Sequence, residues 1–244
     1  MGVSLTSGQL ELGQNRIPPM AARIALIHAL MHSIAPINAA FAAMWPECER
    51  MNVLDDSLSA DLARVGQLDA AMTARFVALA GYAVGTGAQG ILFTCSAFGP
   101  CIDAVKDAWP AFPVLKPNEA TVEEAVALAR RGTGRVAVVA TFAPTLASMP
   151  PEFPMDIEVA TVFVPGAMDA LNAGDGATHD RLIAVAVAAV PDVDVAILAQ
   201  FSMARAAGAA ASATAIPLLT TPGSAVQALR RRIADGIAER AGNR

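Results

Sequence analysis

Residues 90–101 read GILFTCSAFGPC: an apolar run stops at a thiol, Cys95, and small residues follow before a helical pattern begins. A cysteine placed there has two readings. It is an ordinary small side chain of the core, or it carries a proton. The reference pKa of a thiol is about 8.5, so a small downward shift supplies thiolate at neutral pH. The free N–H groups of a following helix N-terminus favour that shift, and Ser96 can cap such a helix. The stretch VDVAILAQFSMA has the same shape, with Gln200 in the place of the thiol. Backbone N–H groups after Cys95 and Gln200, with the hydroxyls of Ser96, Thr141 and Ser202, are candidate oxyanion donors. Each well-placed donor is worth roughly 3–4 kcal/mol to an enolate-like intermediate.

Other polar residues also end apolar runs. His28 is either a substrate contact or a satisfied buried histidine, and His32, one turn later, ranks behind it. Asp55 and Asp56 read as paired carboxylates or as a helix cap beside Ser57. Lys116 is either a point charge for a substrate carboxylate or a surface lysine. Phe98, Phe142 and Phe201 read as pocket walls or as core. Cys48 and Cys101 read as packing side chains, and His179, in a Gly/Asp-rich segment, as exposed.

The elements that must position these residues alternate. Strand-length apolar runs fall at 24–28, 51–54, 90–94, 112–115, 136–140, 157–164, 195–198 and 216–218. Helical patterns fall near 35–45, 69–86, 98–108, 118–131, 167–173, 176–190, 202–212 and 222–240. Continuous rather than alternating apolar strands mean burial on both faces, which predicts parallel sheets covered by helices. Ligands then bind at the C-terminal strand ends. The expected class is α/β, with two pseudo-symmetric, mostly parallel-sheet halves around a cleft. The expected division is an arm at 1–22, a first half of 23–118 with about 215–244, and a second half of about 119–214.

Composition narrows the function classes. The 244 residues are 55% hydrophobic and 16% charged, with a net charge of −5. With no basic patch beyond the solvated Arg230–Arg232 cluster, nucleic acid is not an expected partner. No apolar run reaches the roughly 18 residues of a membrane span, so no membrane partner is expected either. A signal peptide pattern is absent from the start, and three cysteines make no disulfide or zinc framework, so a cytoplasmic protein is expected.

Four segments, RIALIHA, GILFTCSAF, GRVAVVATFAPTLASM and VAILAQFSMARAAG, carry a resemblance. From about residue 23 onward the chain resembles the aspartate/glutamate racemase superfamily, which includes hydantoin and allantoin racemases, maleate isomerases and arylmalonate decarboxylases. The resemblance implies an enzyme without cofactor or metal. It also implies two facing cysteines, one taking an α-proton and the other returning one. Cys95 falls on the first position and Gln200 on the second, and glutamine carries no transferable proton near neutral pH. The expectation is a cofactor-independent racemase or isomerase acting at the carbon next to a carboxylate or carbonyl, with Cys95 as acid/base. His28, Ser96, Ala97, Thr141, Gln200, Phe201 and Ser202 would contact a small carboxylic-acid or amino-acid-like substrate, and a homo-oligomer is expected. Two alternatives stay open: a one-base decarboxylase of a substituted malonate-like acid, and a small-molecule binder without catalysis.

Overall fold

The computed structural model describes residues 21–190 and 192–242; most of the expected N-terminal arm lies outside them. Eight strands form two four-stranded sheets, parallel throughout. β1 (Arg23–His28), β2 (Glu49–Leu54), β3 (Gly90–Phe93) and β4 (Val114–Leu115) lie in the order β2-β1-β3-β4. β5 (Arg135–Ala140), β6 (Glu158–Phe163), β7 (Val195–Leu198) and β8 (Leu218–Thr220) repeat it as β6-β5-β7-β8. Register repeats as well: Ile27 is level with Phe93 in the first sheet, and Val139 with Leu198 in the second. Thr94 and Cys95 therefore leave the first sheet where Ala199 and Gln200 leave the second.

Ten helices intervene: α1 (Ile34–Met44), α2 (Ser57–Val65), α3 (Ala70–Gly85), α4 (Gly99–Ala108), α5 (Glu119–Ala129), α6 (Ala143–Ser148), α7 (Ala167–Asn172), α8 (Gly176–Ala188), α9 (Ala207–Ala213) and α10 (Thr221–Gly242). The central strands are buried on both faces. Ala25 and Ile27 of β1 pack with Phe76 and Ile102 of α3 and α4, while Ile24 and Leu26 pack with Phe41, Val226 and Leu229 of α1 and α10. In β5, Val136 and Val138 meet α5, and Val139 meets Ile183 of α8. α10 lies tight on the first sheet: a Cβ on Gly90 would come within 3.3 Å of Ile24, Leu229 and Ile233.

Three expectations change. Burial on both faces does not extend to the edge strands β2 and β6, whose residues are exposed or half-buried, whereas edge strand β4 stays buried. The chain crosses back to the first sheet after Thr220 rather than near 215, since β8 pairs with β7. Residues 201–206 form a tight 3-10 turn ahead of α9, not the start of one helix.

Candidate active site

The end of β1 is a closed polar network. His28 is 0% exposed. Its Nε2 lies 3.0 Å from Asn52 Oδ1 and must donate there, which leaves Nδ1 as acceptor for the Thr94 hydroxyl at 2.9 Å. The Ser33 hydroxyl also lies 3.1 Å from Nδ1 and 2.9 Å from Thr94 Oγ1, and donates to the Leu30 carbonyl at 2.7 Å. Burial pushes the imidazole pKa down, against the opposing pull of Asn52, so this ring is a neutral structural group. His28, expected to contact substrate, engages both ring nitrogens in the network that fixes Thr94, the residue before Cys95.

Cys95 has extended backbone and leads into a tight 3-10 turn, Ser96–Phe98, continued by α4. Its side chain is half-buried, with the Ala97 N–H near enough to favour the thiolate. Burial outweighs that influence and pushes the thiol above its ordinary range, the opposite of the expected direction. Ser96 makes no capping bond either. A 3-10 turn stands where the leading turn of a helix was expected.

Across the cleft, Gln200 is held by Thr141. The backbone N–H of Thr141 lies 2.7 Å from Gln200 Oε1, and its hydroxyl lies 2.9 Å from the same atom. An N–H can only donate, so the amide orientation is settled: oxygen toward Thr141, and Nε2 left with both its protons. Nε2 has no hydrogen-bond partner among the described residues. Thr141, expected as a substrate contact, is 4% exposed and holds the Gln200 amide from behind the cleft lining.

Residues from both sheets line one cleft of about 130 Å³: Cys95, Ser96, Ala97, Gln200, Phe201 and Ser202, together with His32, Ser33, Thr94, Asn118, Phe142, Thr145 and Met168. Of the expected contacts, His28 and Thr141 stand behind the wall and the other five form it. Asn118 is only 2% exposed, and its amide nitrogen is a buried donor without a protein partner. Its place after β4 was visible in the sequence, but nothing there marked the amide as unpaired.

The remaining candidates fall elsewhere. Lys116 pairs with Asp103 at 2.7 Å in an adjoining pocket, and Asp55 binds Arg75 and Ser57. Cys101 and Phe98 are core. His179, expected to be exposed, is fully buried with Nδ1 2.8 Å from Asp180. Among the described residues no cluster of three His, Cys, Asp or Glu side chains is placed to hold a metal ion, and no helix is long and apolar enough to cross a membrane.

Comparison of folds bears on this arrangement. Glutamate racemase isoform RacE1 from Bacillus anthracis superposes with a TM-score of 0.67 at 12% identity, over 89% of this chain and 83% of its own. Allantoin racemase from Klebsiella pneumoniae gives 0.65 at 19%, over 88% and 89%. The glutamate racemase from Francisella tularensis subsp. tularensis SCHU S4, in complex with D-glutamate, gives 0.62 at 14%, over 89% and 82%. The fold is that of these racemases. No protein-family model and no curated protein sequence matches the chain.

Proposed function

We propose that this protein is a cofactor-independent enzyme of racemase or isomerase type, moving a proton at the carbon next to a carboxylate or carbonyl, with Cys95 as the proton carrier. The observation that carries the reading is that Cys95 and Gln200, its amide N–H groups free, line one cleft. A carbon acid beside a carboxylate is weak, and its enolate-like intermediate needs donors where charge develops. Gln200 Nε2, the Ser202 hydroxyl and the backbone N–H groups after Cys95 supply them. The raised thiol rests protonated at neutral pH, poised to protonate a carbanion, and takes an α-proton after losing its own. A cleft of about 130 Å³ suits a small acid, in keeping with the D-glutamate bound by the Francisella tularensis neighbour. We take the protein to be a cytoplasmic homo-oligomer.

The test is deuterium wash-in at the α-carbon over a panel of amino acids, hydantoins and substituted malonates. Exchange or turnover that falls roughly 10²–10⁴-fold in Cys95→Ser, with the fold intact, supports the reading. Ligand binding that survives Cys95→Ala, without turnover in the native protein, would instead mark a binder. One observation favours a second reading. Gln200 cannot return a proton, so a one-acid decarboxylation, with Cys95 protonating one face after carbon dioxide leaves, fits the same wall. Release of carbon dioxide from a substituted malonate, giving one enantiomer, would decide for it.

A further inference from the structure

Exchanging a proton between the two faces of one carbon takes two titratable groups, one per face. The proposed proton chemistry supplies Cys95 alone, and the inference here rests on it. We infer that His32 is the second proton carrier of the cleft.

Of the residues that line it, Cys95 and His32 supply a thiol and an imidazole, side chains able to serve as acid and base. The other candidates are occupied. Gln200 is an amide whose oxygen is held by Thr141. His28 is enclosed, with both ring nitrogens engaged. Cys101 is fully buried in the core, and Asp55 is bound to Arg75. His32 differs from all of these: it is exposed, and no hydrogen bond or ion pair to its ring is found among the described residues.

Its placement follows from the turn that carries it. Residues 31–33 form a short 3-10 turn after β1. The buried Ser33 ties this turn to Thr94, next to Cys95, through hydroxyls 2.9 Å apart. The same turn packs against residues 201–206, which follow Gln200. The turn that carries the imidazole thus contacts both the strand end bearing the thiol and the segment that follows the amide. With Ser202 it also borders an adjoining apolar groove of about 850 Å³, which gives it contact with solvent for re-equilibrating its proton.

The proton exchange balances without a co-reactant. Cys95 thiolate takes the α-proton: the C–H bond breaks, an S–H bond forms, and the electron pair stays on the substrate as an enolate. The His32 imidazolium then gives its N–H proton to the opposite face, forming the new C–H bond and leaving neutral imidazole. The opposite enantiomer runs the same steps with the roles reversed, and nothing is oxidised or reduced.

The experiment follows α-deuteration in deuterated water, by proton NMR, on separate D and L enantiomers of glutamate, aspartate and 5-substituted hydantoins. The variants are His32→Asn, His32→Gln and Cys95→Ser, each checked for fold by circular dichroism. Expected is a native protein that exchanges both enantiomers of one compound. Both His32 variants lose exchange of one enantiomer by about 100-fold or more and keep the other within a few-fold, and Cys95→Ser shows the mirror pattern. Native exchange that both His32 variants leave unchanged, or slow equally for the two enantiomers, overturns the inference while the role of Cys95 stands. A native protein that exchanges neither enantiomer of any compound removes the underlying reading, and His32 with it.

Discussion

Thr141 holds the Gln200 amide oxygen with two donors at once, its backbone N–H at 2.7 Å and its hydroxyl at 2.9 Å. The position that could oppose Cys95 is therefore a fixed donor. Removing the hydroxyl leaves the N–H bond and loosens the amide. We expect Thr141→Val to weaken binding of a small carboxylate ligand by roughly threefold to tenfold, the worth of about 0.5–1.5 kcal/mol for one hydrogen bond. Isothermal titration would read this, with Thr141→Ser as the control that retains affinity. Equal affinity in native and Thr141→Val protein would mean that the amide does not hold the ligand.

Thiol reactivity checks the site without a known substrate. Burial raises Cys95 above the ordinary cysteine range, so its thiolate fraction grows with pH and stays small at neutrality. Alkylation by iodoacetamide should be slow at pH 7 and climb through and beyond about pH 8.5. Cys48 is buried and pushed up to about 12, and Cys101 is 0% exposed, so the label should sit on Cys95. Peptide mass mapping locates it. Fast labelling that levels off near pH 7 would mean a depressed thiol.

The strands were legible because a strand buried on both faces is a continuous apolar run, and each expected strand lies within about two residues of an observed one. Short α2 and α6 were not: the Asp55–Ser57 segment ahead of α2 read equally as paired carboxylates, and α6 has only six residues. Cys95 and Gln200 could be located because each directly follows a central strand. The placements of His28 and His32 differ for a geometric reason. The last residue of β1 points wherever the pleat sends it, here into the Thr94–Ser33–Asn52 network, whereas the turn beyond it reaches the cleft. The pairing of Thr141 with Gln200 joins two separate strand ends, and no local pattern encodes it.

Glu119 should anchor the first half through charge. Its carboxylate meets Lys106 of α4, Arg232 of α10 at 2.9 Å and the Lys116 N–H at 3.2 Å. Burial raises its pKa, but these partners together overcome that and hold the carboxyl below its ordinary range. A group depressed in this way stabilises the fold above its unfolded pKa, and the contribution is lost as pH falls through the lower, folded value. We expect Glu119→Gln to cost about 1–3 kcal/mol at pH 7, since removing one partner leaves two cations facing a neutral amide. The gap from native should shrink as pH drops below about 4.3. Urea melts at pH 7 and pH 4 measure both, and a gap that is constant with pH would assign the loss to packing.

Gln200→Cys joins the two halves of the mechanistic case. It places a titratable group just past the end of the second sheet's central strand, in the cleft that Cys95 also lines, and removes the fixed donor. If His32 already serves the second face, the substitution adds little proton transfer to the native background and costs ligand affinity. In a His32→Asn background it should restore the lost enantiomer's exchange by at least tenfold, because a thiol transfers a proton and an amide does not. If the native protein works on one face only, Gln200→Cys alone should create racemisation of a compound that the native protein handles on a single face. The measurement is optical rotation together with α-deuteration for native, single and double variants on the same compounds. Exchange that remains one-sided in both backgrounds would mean that the Gln200 position does not face the reacting carbon.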